Sequence, residues 1–99
     1  NFFALFGGEL RTAGSGVLEG VTRRIVLTLA QAIAPIDCTA ITLNDLPHAD
    51  EAFITSSSRE VMPVVQIDEQ IIGAGQPGPV TTGLRARYRM YLMQAAEVP

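Results

Sequence analysis

The first apolar run is Phe2–Phe6 in NFFALFGGELRT, and Gly7-Gly8 directly after it tolerates positive φ. The pattern predicts a β-hairpin. AGSG, residues 13–16, reads as a loop. Over residues 21–34 the period lengthens, and Val21, Ile25, Leu29, Ala32 and Ile33 fall on one face of a helix. Pro35 ends it, because proline disfavours the helical region for the residue before it. Residues 36–42, IDCTAIT, predict a short strand. LNDLPHAD follows as a turn, with one helical turn capped by Thr42. EAFIT is a further strand and SSSRE a polar connection. Residues 61–67 give another strand, which Pro63 assigns to a sheet edge or a bulge. Asp68-Glu69 turns the chain into QII. Pro79 then suits the first position of a closing helix, along which Leu84, Tyr88, Tyr91 and Ala95 form a stripe. Gly83 costs that helix about 1 kcal/mol relative to alanine. The sum is a mixed α/β chain with short strands, two main helices and no internal repeat.

Composition narrows the class. Ninety-nine residues allow one domain at most. Hydrophobic residues make up 47% of them, so the chain is expected to pack against further protein. Seven arginines against ten acids leave a net charge of −3, which argues against a nucleic-acid binder. Arg85, Arg87 and Arg89 cluster, but their stripe is too short to change that balance. No apolar run is long enough to span a membrane, and the apolar start lacks the features of a signal peptide. A single cysteine, Cys38, excludes an internal disulfide and fits a reducing, cytoplasmic setting. The missing initiator methionine suggests a fragment.

Three stretches carry candidate chemistry. Gly73-Ala74-Gly75-Gln76-Pro77-Gly78 matches the dinucleotide fingerprint G-x-G-x-x-G. The strand before it reads as half of an antiparallel hairpin, and Pro77 withholds an amide, so this stretch is assigned as a structural loop. Gly20-Val21-Thr22 opens the first helix, with Arg23 and Arg24 beside it. Unpaired helix amides, a hydroxyl and positive charge make a phosphate seat there. The plainer reading is a loop glycine, an ordinary cap and a solvated arginine face. The third stretch, TSSSRE, offers four consecutive hydroxyls (Thr55 to Ser58) that suit an anion-binding nest. Ser57 and Glu60 also fit a capping box, and the plainer reading is a polar turn between strands. His48 is expected at the surface and Cys38 in packing. Asp50 and Glu51 are expected on opposite faces of a strand, and no His or Cys pair has metal spacing. Two anion seats without a Walker lysine suggest one phosphate-bearing ligand, held by backbone amides and hydroxyls.

Taken together, LEGVTRR, then HADEAFITSSSREVMPV, then GAGQPGPVT resemble the class IV aminotransferases, the fold-type IV pyridoxal-phosphate enzymes. That family includes branched-chain aminotransferases, D-amino acid transaminases and aminodeoxychorismate lyases. The resemblance runs through essentially all 99 residues and places them in the C-terminal part of the large domain, as a single partial domain. It implies that Leu18 packs on the pyridine ring of pyridoxal 5'-phosphate. It implies that Val21 and Thr22 hold the cofactor phosphate and that Ser57 adds a contact. The amides of Ser57 and Ser58 would face the substrate carboxylate.

The departures are as informative. The family binds its cofactor covalently through a lysine, and this sequence contains no lysine. The glutamate that partners the pyridine nitrogen would lie before Asn1. These residues alone are therefore expected to be inactive, with no catalytic residue of their own. Glu69 stands where relatives often have a hairpin glycine, at a small local cost. The intact enzyme would move an amino group between an amino acid and a 2-oxo acid, as a homodimer. A lyase acting on aminodeoxychorismate, and a non-enzymatic module that binds a phosphorylated ligand or a protein partner, are the alternatives.

Overall fold

The structure is a computed structural model that describes residues 1–14, 20–56 and 60–97, with side chains through residue 94. Its centre is a five-stranded sheet. β1 (Phe2–Phe6) and β2 (Glu9–Thr12) form the expected hairpin, closed at Gly7 and Gly8 with φ of +56° and +87°. β3 (Ile36–Asp37) lies parallel to β2, and β4 (Glu51–Ser56) lies antiparallel to β1. β5 (Glu60–Pro63) completes the order β3-β2-β1-β4-β5. Pro63 therefore sits on an edge strand, where its missing N–H breaks no ladder. β6 (Gln66–Ile67) and β7 (Gln70–Ile71) pair as a separate small hairpin.

FFALF is apolar at every position because both faces of β1 are covered. Phe3, Leu5, Leu10, Phe53 and Val61 face two helices, α1 (Val21–Ala30) and α2 (Pro79–Glu97), through Val26, Ala30, Leu84 and Tyr88. Phe3 and Phe53 are in register across β1 and β4, and their rings stack with centroids 4.8 Å apart. The opposite face, with Ala4 and Ala52, packs under Leu46, Ala49 and Ile72. Leu46 comes from a 3-10 helix, Leu43–His48, that Thr42 caps as expected. Asp45 returns the bond to the Thr42 backbone N–H at 2.8 Å, completing a capping box.

Several elements differ from the sequence reading, each for a local reason. α1 ends at Ala30, not residue 34. The chain tightens there into i to i−3 bonds, Ala32 N–H to Leu29 O and Ile33 N–H to Ala30 O, before Pro35. The buried face of α1 is Thr22, Arg23, Val26 and Ala30. The expected stripe lies at the edge of that face: Ile25 and Leu29 are half-buried and pack against the main cluster, while Val21 is 67% exposed and Ala32 and Ile33 are exposed. β3 stops at Asp37, and the chain beyond it is held by Arg11, which donates to Thr39 O at 3.2 Å and Ala40 O at 2.8 Å. Cys38 is consequently exposed, not packed. The strand expected over 61–67 breaks after Pro63, and its second half turns away to pair with β7. The left-handed residue of that turn is Asp68, at φ +52°, so the cost assigned to Glu69 falls on Asp68. Glu60 opens β5 opposite Ser56 with φ +59°, and the capping box read for Ser57 and Glu60 lies outside the described residues because Ser57 does. On α2, Thr81, Leu84 and Tyr88 are buried, but Tyr91 is exposed beside Met90, Leu92 and Met93. Ala95 lies outside the described side chains.

Candidate functional site

β2, α1 and β3 form a strand-helix-strand unit with parallel strands. The helix of such a unit starts beyond the carboxyl end of the first strand, where ligands of α/β sheets bind. Here that places the start of α1 next to the end of β2, and Arg23 ties the two by donating from Nη2 to Ala13 O. The register brings more of the chain to this end. Asn1 and Thr55 exchange backbone bonds at 2.9 and 3.0 Å, and Ser56 pairs with Glu60. Two adjacent residues of α2 then bridge the two anion seats read from the sequence. Tyr88 Oη lies 3.3 Å from Thr22 Oγ1, and Arg89 Nε lies 3.5 Å from Glu60 Oε1.

Gly20 is the N-cap of α1, in extended backbone at φ −77° and ψ 160°. Among the described residues no side chain caps this helix, and its first turn carries no acid. Val21, at the first helical position, points its side chain to solvent. Thr22, the second residue, is 5% exposed, and its hydroxyl meets Tyr88 in the interior. Arg23 is also buried, so it is not on a solvated face as the plainer reading had it. Its guanidinium stands 6.0 Å from the Phe3 ring centroid, close enough for a cation–π contact. The donors at this end are thus backbone amides and one buried hydroxyl, backed by a buried positive charge. Thr55 contributes a buried hydroxyl with no hydrogen-bond partner among the described residues. That donor set fits a phosphate, which only accepts hydrogen bonds when fully ionised. Leu18, Ser57 and Ser58, the other residues assigned to cofactor and substrate, lie outside the described residues.

The N-terminus of α2, after the G-x-G-x-x-G stretch, is already filled. Glu51 reaches across from β4, and its carboxylate accepts from Val80 N–H at 3.2 Å and Thr81 N–H at 2.8 Å. Gly78 is needed for this: a Cβ there would stand 2.1 Å from Glu51 Cδ. Gly73, at φ +56°, would place a Cβ 2.1 Å from Asp50 O. Gly73 and Gly78 are therefore required by the approach of Asp50 and Glu51 at the start of β4, as in a structural loop. Asp50 itself turns the other way and accepts from Gly7 N–H at 2.9 Å. The sequence reading missed both Glu51 and Tyr88, since neither lies near its partner in sequence.

Two acids titrate below the ordinary carboxylate value, both outside this site. Asp45 is held down by the bonds from the Thr42 backbone and hydroxyl, with Arg11 adding to them. Asp37 is held down chiefly by the Thr39 hydroxyl. His48 is exposed, and no group of metal-ligating side chains occurs among the described residues. No described helix is long and apolar enough to cross a membrane.

Known proteins share this arrangement. The sequence profile of amino-transferase class IV matches residues 1–67. A probable branched-chain-amino-acid aminotransferase of Aquifex aeolicus is 37% identical over 92 residues, covering 89% of this chain and 30% of the relative. D-alanine aminotransferase of Bacillus licheniformis is 44% identical over 70 residues, covering 70% of this chain and 25% of the relative. A branched-chain amino acid aminotransferase of T.th., complexed with N-(5'-phosphopyridoxyl)-L-glutamate, superposes with a TM-score of 0.89 at 34% identity. That superposition covers 95% of this chain and 32% of the other. The branched-chain aminotransferase of Thermoproteus uzoniensis with norvaline gives 0.86 at 33% identity, covering 98% and 33%. The chain thus spans about a third of the length of these relatives. By the profile match over two thirds of its residues and by its fold, the chain belongs to the class IV aminotransferase family.

Proposed function

We propose that these residues are the C-terminal third of a pyridoxal-phosphate-dependent aminotransferase, and that the start of α1 seats the cofactor phosphate. The observation that carries the proposal is the N-terminus of α1, which no side chain among the described residues caps, with the buried Thr22 hydroxyl beside it. A helix end of this kind favours an anion through its free amides and its dipole. The amides of Val21 and Thr22 and the Thr22 hydroxyl would bind the phosphate, with Arg23 as positive charge behind them. On the family likeness, Leu18 packs on the cofactor ring, Ser57 adds a phosphate contact, and the amides of Ser57 and Ser58 orient the substrate carboxylate. Pyridoxal phosphate bound there would supply the electron sink that lets an amino group pass between an amino acid and a 2-oxo acid.

The 99 residues contain no lysine, so the covalent anchor of the cofactor would come from outside them. On this reading they are inactive alone and work within a cytoplasmic homodimer, an extension that rests on the likeness only. The test uses the full-length protein encoded by the reading frame that contains these residues. Loaded with pyridoxal phosphate, it should show a visible absorbance band of the bound cofactor. It should also transfer an amino group to 2-oxoglutarate from a branched-chain L-amino acid or from D-alanine. Absence of both the band and the transfer contradicts the proposal.

A further inference from the structure

The Thr22–Tyr88 contact joins residues 66 positions apart, and both side chains are 5% exposed. Two hydroxyls facing each other in a dry interior have one bond to share, and either oxygen could be its donor. A bound phosphate removes that freedom. An ionised phosphate only accepts, so the single Thr22 hydroxyl proton must turn toward it. The Thr22 oxygen then has lone pairs facing the interior, and the phenol of Tyr88 is positioned to donate to them. Phenols are more acidic than aliphatic hydroxyls and therefore better donors. A chain of two such bonds polarises both.

We infer that Tyr88 is a positioning residue for the phosphate seat: its phenol holds the Thr22 hydroxyl so that the threonine proton points at the cofactor phosphate. The inference rests on the cofactor site proposed above. Its anchor is firm, because the Tyr88 ring belongs to the main apolar cluster with Phe3, Phe53 and Val26. The neighbouring Arg89 ties the same turn of α2 to Glu60 on β5. Tyr88 need not touch the cofactor to act. It fixes the direction of a hydrogen bond that another residue makes.

A merely structural tie between α1 and α2 would affect any ligand of the site alike. The test therefore compares pyridoxal 5'-phosphate with pyridoxal, which lacks the phosphate, by dissociation constant in the full-length protein. Tyr88→Phe keeps the ring and its packing. It should weaken pyridoxal phosphate by about three- to tenfold, from the loss of one neutral hydrogen bond, and leave pyridoxal unchanged. Thr22→Val should weaken only pyridoxal phosphate, by about tenfold or more, since its hydroxyl bonds a charged group. The double variant should be no worse than Thr22→Val alone, and Thr22→Ser should keep the preference for the phosphorylated ligand.

Equal losses for both ligands in Tyr88→Phe, no loss, or additive losses in the double variant would overturn the role of Tyr88. If Thr22→Val is selective and Tyr88→Phe is not, the seat stands and this inference alone fails. If Thr22→Val is not selective, the seat itself is wrong and the inference falls with it. Should Tyr88→Phe not fold, the unmodified protein isotopically labelled at tyrosine Cζ decides. The Tyr88 resonance should shift when pyridoxal phosphate replaces pyridoxal, and an unmoved resonance overturns the proposal.

Discussion

Two helices of this chain begin in the same way and end up with opposite chemistry. α1 follows Gly20 and α2 follows Gly78, and each offers a first turn of backbone amides at the positive end of a helix. At α2 those amides meet Glu51, a carboxylate from the chain itself, buried to 7% exposure and bonded to two of them. At α1 no side chain among the described residues takes that place, and no acid occurs in the first turn. The difference teaches that glycine spacing alone does not identify an anion site. The α2 helix carries the better-known glycine signature, yet its own carboxylate occupies the position a phosphate would need. The α1 helix has a single glycine and a threonine, and no carboxylate among the described residues bonds its first amides.

Removing Glu51 should break the comparison most strongly. Glu51→Ala leaves the amides of Val80 and Thr81 without their acceptor, and Thr81 is buried. Two charge-assisted bonds are lost, so stability should fall by about 3 kcal/mol, read from denaturant unfolding of the full-length protein. Affinity for pyridoxal phosphate should nevertheless hold in the folded fraction, because α2 is not the seat. Gly78→Ala acts on the same cap from the other side. Its Cβ would collide with the Glu51 side chain, which must move off the amides, at a cost of about 2 kcal/mol.

The smallest effect comes from the third cap. Asp45 accepts from the Thr42 backbone and the Arg11 guanidinium, in an exposed setting. Its carboxyl titrates below the ordinary value, so the bonds stabilise the fold above the unfolded-state pKa. That contribution is lost as pH falls through the lower, folded-state value. Asp45→Asn should therefore lower the thermal midpoint slightly at neutral pH and make no difference in strong acid. A gap between variant and parent that persists in acid would show that Asp45 acts through something other than its charge.

What was legible in the sequence was local. The β1–β2 hairpin at Gly7-Gly8, the edge position of Pro63, the first-turn proline of α2 and the Thr42 cap each follow from residues within a few positions of one another. So did the opening of α1 at Gly20-Val21-Thr22, since cap and helix are contiguous. What was not legible depends on distant partners. Glu51 was read against its neighbour Asp50, and nothing near it in sequence marks the α2 amides it serves, 29 and 30 positions away. The α1 face was misjudged because the stripe Val21, Ile25, Leu29 looks more apolar than Thr22, Val26, Ala30. The latter faces inward because Tyr88 satisfies Thr22 and small Ala30 lets the helix approach the sheet. Val21 and Ile33 at the ends of the stripe, with Met90 to Met93 on α2, are exposed apolar surface of the kind the composition implies. The burial of Arg23 is not legible for a related reason: a buried arginine needs a carbonyl and an aromatic face, and Ala13, just past β2, and Phe3 on β1 supply them.

The central claim is that the first turn of α1 seats an anion from outside the chain whereas that of α2 binds the chain's own Glu51, and one variant makes the two helices alike. A Cβ at Gly20 meets no atom of the described residues within 4 Å beyond its chain neighbours, and its backbone is the extended form an aspartate cap uses. Gly20→Asp should place a carboxylate on the amides of α1, as Glu51 does on α2. Stability should hold or rise by a few tenths of a kcal/mol, about what replacing a glycine cap yields. The dissociation constant for pyridoxal phosphate should rise about 100-fold, while that for pyridoxal stays as in the parent. A stable Gly20→Asp protein that binds pyridoxal phosphate as tightly as the parent would contradict the claim.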